Sequence, residues 1–276
     1  MLRFIPLFFI IIALEVAPGA WDPLAPGMEI GTFVVKLSSP VRNSPLTVLR
    51  IDPKLWDLTV VGTSWTVGST GRTARQWCES HKLKAAVNAG MFGTDYRTHV
   101  GYLRSEGHLN SSHVNQYQSV AAFHPRDGKD LPEFRVFDLD APGVTMEAIL
   151  DDFSSVIQNL RLIKRPGENR WSQQDKMWSE AALGEDNEGR VLFIFSKTPS
   201  TMHDFNQALL SLGIGIVAAQ HLEGGPQAQL FIRVGDVEHE LFGSYRTSFQ
   251  KIDGSPVPWP VPNVLGVRPK ASLTNQ

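Results

Sequence analysis

Short apolar runs separated by turn-forming residues dominate the chain after residue 20. Runs rich in Val, Ile, Leu and Thr, divided by Pro, Asn, Asp or Gly, are typical of β-strands. The pattern predicts strands over residues 32–36, 46–51, 58–61, 84–88, 100–104, 119–124, 134–137, 190–196, 214–220, 230–234, 237–241 and 264–267. The two runs around Gly235 and Asp236 are predicted to form a hairpin.

Two segments have the spacing of helices. Residues 73–82 follow the break at Gly71, and residues 199–212 place apolar side chains at helical intervals before a stop at Gly213. Strands outnumber helices and do not alternate regularly with them, which argues against a doubly wound parallel sheet. We therefore predict a single α+β domain over residues 21–276, with a mixed or mainly antiparallel sheet and a few flanking helices.

The first twenty residues resemble a targeting segment. Arg3 precedes the apolar run 4–14, and small residues follow around Pro18. This order is typical of a secretory signal peptide, and the run is shorter than the roughly 20 residues that span a bilayer. We predict a signal peptide over residues 1–20 and a secreted or periplasmic protein without stable membrane insertion after cleavage. The alternatives are an uncleaved anchor and a buried N-terminal helix.

Charge and cysteine content exclude several classes. The chain has 26 Lys and Arg against 28 Asp and Glu, so it lacks the basic excess of a nucleic-acid binder. The single cysteine, Cys78, excludes an internal disulfide and a four-cysteine zinc site. We predict that Cys78 is a buried structural thiol. The alternative is a nucleophile activated by His81, which lies three residues further along the same predicted helix face.

The histidines and tryptophans are weaker signals. A metal-dependent hydrolase could use the histidines at positions 99, 108, 113 and 124. Their spacings place no two on one helical face and no His-Glu-x-x-His motif occurs, so we predict no metal and no cofactor. Residues 164–176 form a polar segment that predicts a surface loop. Trp171 and Trp178, in and beside that loop, are candidates for contacting a ligand.

Two segments have the residues that chemistry requires at the end of an apolar strand. Asn88 offers amide donors and an acceptor, and Gly90 lets a ligand approach the backbone closely. Glu223 presents a carboxylate that Gly224 and Gly225 leave unobstructed, and a hydrolase acting at a sugar carbon needs such a carboxylate on a rigid element. Both segments also have the composition of ordinary turns.

Together with three further segments, these two resemble the phosphodiester glycosidase family, which includes the lysosomal uncovering enzyme and many secreted bacterial proteins. Asn-Ala-Gly-Met-Phe resembles the family's Asn-Gly-Gly-Phe-Phe, and Leu-Glu-Gly-Gly resembles its Leu-Asp-Gly-Gly. The similar segments follow the family order between about residues 84 and 234: 88–92, 101–107, 155–162, 178–184 and 222–225.

Three departures from the family pattern affect the expected site. Glu223 stands where the family usually has Asp, and one extra methylene moves a carboxyl by about 1 Å, enough to cost roughly 100-fold in rate. Ser179 and Glu180 occupy the place of the family's Arg, and Gln227 replaces a small hydroxyl residue. The site is therefore either rearranged for another substrate or no longer catalytic.

The resemblance implies hydrolysis of a sugar-1-phosphodiester, in a glycan or glycolipid, at the glycosidic carbon. The catalytic candidates are Glu223 as the carboxylate, Asn88 as an amide that orients sugar hydroxyls, and Glu180 as a second carboxylate. The substrate-binding candidates are Gly90, Arg104, Arg161, Arg165, Gly224 and Gly225, the arginines because their planar guanidinium groups suit phosphate. The alternative is a non-catalytic protein of the same fold that binds glycans or an envelope polysaccharide.

Overall fold

The computed structural model describes residues 21–35, 44–66, 68–244 and 257–271. The predicted signal peptide lies outside these residues. The elements of the described part, in chain order, are β1 (Trp21–Ala25), β2 (Met28–Val35), β3 (Ser44–Ile51), β4 (Trp56–Gly62), α1 (Ala74–His81), β5 (Ala85–Asn88), β6 (Leu103–Ser105), β7 (His108–Ser111), β8 (Ser119–Pro125), β9 (Phe134–Asp138), α2 (Met146–Asp152), β10 (Phe153–Asn159), β11 (Arg161–Lys164), β12 (Glu168–Asn169), β13 (Trp178–Asp186), β14 (Val191–Ser200), α3 (Met202–Ser211), β15 (Ile216–Gly224), β16 (Gln229–Val234), β17 (Val237–Phe242) and β18 (Asn263–Pro269).

The strands form three sheets in which neighbouring strands run antiparallel. The largest has the order β1-β2-β3-β14-β13-β15-β11-β12, the second β7-β6-β10-β8-β9, and the third β17-β16-β5-β18-β4. With only short helices beside them, these sheets confirm the predicted α+β domain. Strands β16 and β17 also confirm the predicted hairpin at Gly235 and Asp236.

The largest sheet is covered on both faces, which explains the unbroken apolar runs 181–183 in β13 and 191–195 in β14. Leu183 and Phe193 point into a core shared with the other two sheets, whereas Ala182 and Ile194 pack on the opposite side, where α3 contributes Phe205. Successive side chains of a strand point to opposite faces, so a strand buried on both faces shows no polar alternation.

The helices begin where side chains can cap them. Thr73 and Gln76 form a capping box at the start of α1, and Thr201 caps α3, which confirms both predicted helices. Helix α2 is not predicted from the sequence. Among its residues only Ile149 is buried, so it lacks an apolar stripe. No helix in the described residues is long and apolar enough to cross a membrane.

The sheet topology brings distant parts of the chain together. Because β13 and β15 are antiparallel neighbours, the start of β13 at Trp178 lies beside the end of β15 at Gly224. Strand β5 ends at Asn88 in the third sheet, next to the short turn that follows β15. The predicted chemistry-bearing segments around residues 88, 180 and 223 therefore meet at one place.

Candidate active site

A pocket of about 360 Å³ opens where β13 and β15 meet. His221 and Glu223 of β15 both line it, whereas Leu222 between them points into the core. A register shift of the β13–β15 pair falls at this point, and irregularities of this kind often re-aim side chains next to active sites. The lining residues are Met177, Trp178, His221, Glu223, Gly224, Gly225, Gln227 and Ser244.

Glu180 is buried behind the pocket wall with both carboxylate oxygens engaged. Oε1 accepts a hydrogen bond from Nδ1 of His221 at 2.5 Å, and Oε2 accepts one from Nε1 of Trp178 at 2.8 Å. Glu180 and His221 are 2% and 4% exposed, so solvent competes little for this bond. The contact fixes the orientation of the imidazole and of the indole that lines the pocket.

The same cluster shifts two pKa values upward. Burial would lower the pKa of His221, but the charge and hydrogen bond of Glu180, with the charge of Glu223, raise it above its ordinary value. Burial raises the pKa of Glu223, and Glu180 adds to the rise, although His221 and the N–H of Gly224 oppose it. Perturbed carboxyl and imidazole groups lining one pocket are typical of a catalytic centre.

Asn88 holds the backbone that forms the pocket floor. Its Nδ2 donates to the carbonyl of Gln227 at 2.8 Å, and its Oδ1 accepts from the N–H of Gln229 at 2.7 Å. The side chain is 1% exposed, and it ties the end of β5 to the 3₁₀ turn Gly225–Gln227. The structure shows this amide hydrogen-bonded to backbone groups. Its predicted contact with sugar hydroxyls stays a prediction.

The three candidate glycines occupy positions where a residue with a side chain would strain the backbone or collide with a neighbour. Gly90 has φ +143°, and a Cβ there would lie 2.2 Å from Oδ1 of Asn159. Gly225 has φ +62°, in the left-handed region. Gly224 has ordinary dihedrals, but a Cβ would lie 2.7 Å from the indole of Trp178. Gly224 and Gly225 line the pocket, whereas Gly90 follows β5 and lies against the ring of His99.

The three predicted phosphate-binding arginines are not among the residues that line this pocket. Arg104 donates to backbone carbonyls around the end of α2, at Leu150 and Phe153 among others. Arg161 pairs with Asp138 and Asp140, and Arg165 pairs with the buried Glu185. The predicted surface loop 164–176 begins at the end of β11 and contains the short strand β12, which pairs with β11. Each guanidinium group therefore has partners within the fold, and its phosphate-binding role stays a prediction.

Comparison with known proteins agrees with this geometry. The family model for phosphodiester glycosidases matches residues 81–268, more than half of the chain. The chain belongs to the phosphodiester glycosidase family. Among curated proteins none matches the sequence at a significant level.

Solved structures show the same fold at low sequence identity. The catalytic domain of zebrafish N-acetylglucosamine-1-phosphodiester alpha-N-acetylglucosaminidase is 15% identical with a TM-score of 0.63, covering 91% of this chain and 86% of that one. A hypothetical protein from Synechocystis is 16% identical with a TM-score of 0.59, covering 92% of this chain and 64% of that one.

The residues that the resemblance marks as departures from the phosphodiester glycosidase pattern lie close together. They are Ser179 with Glu180, Glu223, and Gln227 with Ala228. Glu180 and Glu223 act electrostatically on the same imidazole, and Gln227 lines the same pocket. The substitutions are therefore concentrated in one site.

Sequence reasoning missed His221. The predicted strand ends at residue 220, but β15 continues to Gly224, so His221 and Glu223 lie two residues apart in one strand and share a face. The candidate Trp178 does line the pocket, whereas Trp171 donates to the carbonyl of Arg161 and packs against the core around α3.

The other weak candidates have structural surroundings. Cys78 is buried, as predicted, and burial raises the pKa of its thiol, which makes thiolate formation unfavourable. The ring of His81 packs against Trp77, and the alternative of a nucleophile activated by His81 stays a hypothesis. The described residues contain no group of three or more His, Cys, Asp or Glu side chains that could hold a metal.

Proposed function

We propose that this protein hydrolyses a sugar-1-phosphodiester at the glycosidic carbon, releasing a free sugar and a phosphomonoester. The observation that carries the proposal is Glu223, a half-buried residue that lines the pocket and that stands where the resemblance leads us to expect the family's carboxylate. Membership of the phosphodiester glycosidase family supports the reaction class.

The pocket has the parts that such a reaction needs. Glu223 either activates water or stabilises the positive charge that develops at the sugar carbon. Trp178 supplies an aromatic wall, a surface that suits the apolar face of a sugar ring. Phosphate leaves readily, so a weaker acid than the carboxylic acid of ordinary glycosidases suffices as its proton donor.

We also propose that the protein acts outside the cytoplasm, as a secreted or periplasmic enzyme of residues 21–276. The support is the sequence pattern of residues 1–20. The zebrafish enzyme acts on an N-acetylglucosamine-1-phosphodiester, as its name states, and this makes N-acetylglucosamine the first sugar to test.

The test is hydrolysis of a panel of sugar-1-phosphodiesters, with free sugar and phosphomonoester measured separately. Both products without inorganic phosphate would show that the bridge between sugar and phosphate is cut. In oxygen-labelled water, label in the free sugar would place the cut at the glycosidic carbon, whereas label in the phosphomonoester would place it at the phosphorus. We expect Glu223→Gln to lower kcat by roughly 100-fold or more, because an amide cannot accept the water proton or carry charge. Equal turnover by Glu223→Gln would contradict the assignment of this carboxylate.

The second candidate function is glycan binding without catalysis. It is motivated by Glu223 and Gln227, which stand where the resemblance leads us to expect an Asp and a small hydroxyl residue and which both line the pocket. Binding of panel members by calorimetry, with no product formed over prolonged incubation, would support it against hydrolysis.

A further inference from the structure

Cleavage of a phosphodiester at the sugar carbon places new charge on the leaving phosphate. The C–O bond breaks, and its electron pair stays on the phosphate oxygen. The monoester so formed has a second pKa of about 6. It therefore leaves as a dianion unless its new oxygen is protonated or accepts a strong hydrogen bond. A group that meets that oxygen stabilises the transition state more than the ground state.

The pocket offers one such group among its lining residues. In the described part of the chain these residues include one side chain that can carry positive charge, the imidazole of His221. Arg161 and Arg165 are paired with carboxylates elsewhere, and Arg104 donates to backbone carbonyls.

We propose that His221, protonated and held by Glu180, donates a hydrogen bond from Nε2 to the phosphate oxygen that leaves the sugar. This inference rests on the proposed function. It makes His221 a catalytic residue and Glu180 a positioning residue. The positive charge is supplied by an imidazolium on the neighbouring strand.

The hydrogen bonds around the imidazole fit this role. Nδ1 is bonded to Glu180, so Nε2 is the ring nitrogen that can serve a ligand in the pocket. Trp178 holds the other oxygen of Glu180, which keeps the carboxylate from rotating. A carboxylate on one ring nitrogen that orients the other toward substrate is the arrangement of hydrolase triads.

The protons balance in the complete reaction. The water oxygen bonds to the sugar carbon while Glu223 accepts one water proton, and His221 gives its proton to the departing phosphate oxygen. Glu223 then loses its proton to solvent and His221 regains one. The charges acting on His221 are Glu180 on β13 and Glu223 on its own strand.

This scheme predicts a bell-shaped pH profile. Activity needs Glu223 ionised and His221 protonated, so the acid limb reports the carboxyl and the alkaline limb the imidazole. Glu180 raises the pKa of both groups. Its neutralisation in Glu180→Gln should therefore move both limbs to lower pH, the alkaline limb by about 1 unit or more.

The experiment compares wild type, His221→Gln, Glu180→Gln and the exposed control His113→Gln on the methyl diester of N-acetylglucosamine 1-phosphate. We expect His221→Gln to lower kcat roughly 100-fold with a small change in KM and to lose the alkaline limb. Glu180→Gln should keep much of the wild-type kcat on the acid side of its shifted limb. His113→Gln should match wild type.

Two results would overturn the proposal. One is a kcat of His221→Gln within threefold of wild type, and the other is an unchanged alkaline limb in Glu180→Gln. Thermal unfolding of each variant shows whether it is folded, and a folded Glu180→Gln tests the proposal even where His221→Gln does not fold. If wild type itself forms no products, the proposed function fails, whereas an active wild type with either result above overturns only the role of His221.

Discussion

One methyl group at Gly224 would collide with the indole of Trp178. A Cβ built there lies 2.7 Å from Cδ1 of the indole, although the backbone dihedrals of Gly224 suit any residue. We expect Gly224→Ala to displace the indole and break its hydrogen bond to Glu180. The overpacking should cost about 1–3 kcal/mol of the free energy of unfolding, measured by urea denaturation.

The matched control is Gly71→Ala, where the new Cβ would meet its nearest neighbours at an ordinary 3.4 Å. Under the proposed function, Gly224→Ala should also lose more than about 10-fold in kcat/KM, since Glu180 would no longer be held in place. Equal stability of the two variants would show that the indole is free to move aside.

At the scale of elements, the turn after β15 depends on a side chain from another sheet. Asn88 satisfies the carbonyl of Gln227 and the N–H of Gln229. Asn88→Ala leaves both backbone groups without these partners, and we expect a loss of about 1–3 kcal/mol in the free energy of unfolding. The activity should fall mainly through kcat, because the turn carries pocket residues.

Gln227→Ala provides the comparison for that prediction. It removes a side chain that lines the pocket and reaches the hydroxyl of Tyr96 at 3.4 Å, but it keeps the carbonyl that Asn88 binds. Its stability should stay within about 0.5 kcal/mol of wild type in the same urea titration. A variant pair with the opposite ranking of stability would contradict the supporting role of Asn88.

The elements that could be predicted are those whose signals are local. The sequences of α1 and α3 contain a capping residue and apolar residues at helical spacing. Helix α2 has a cap at Thr145 but no apolar stripe. Strand pairing is not local. Strand β5 lies between β16 and β18, more than 130 residues away in the sequence, and no local pattern specifies such partners.

The same limit explains which site residues were found. Glu223, Gly224 and Gly225 follow one another, so a single segment revealed them. The bond between His221 and Glu180 joins two strands, and the sequence does not show that they touch. Arg161 was a candidate for binding phosphate because of its chemistry. Its guanidinium group instead pairs with Asp138 at the end of β9 and Asp140 just beyond it, and β9 belongs to a different sheet.

At the scale of the whole molecule, ion pairs join the second sheet to the largest one. Arg161 of β11 contacts Asp138 at the end of β9 and Asp140 just beyond it. Glu185 of β13 accepts from the N–H of Val136 in β9 and pairs with Arg165. These contacts hold β9 of the second sheet against the largest sheet, which carries the pocket.

These ion pairs predict how the free energy of unfolding changes in acid. The hydrogen bond of Arg161, with the charges of Arg161 and Lys164, lowers the pKa of Asp140 from 3.8 to about 2. A carboxyl with a lowered pKa in the folded state stabilises the protein above its unfolded pKa and loses that contribution as the pH falls through the folded value. Because the side chain is 38% exposed, solvent screening keeps the contribution below about 1 kcal/mol.

We therefore expect Asp140→Asn to be less stable than wild type at pH 5 by up to about 1 kcal/mol, with the difference shrinking toward zero near pH 2. Urea denaturation of both proteins at several pH values between these limits measures it. Asp130→Asn, at an exposed carboxylate after β8, is the control for loss of one negative charge. A difference that stays constant down to the lowest pH would mean that Asp140 supports the contact between the two sheets through its shape and not through its charge.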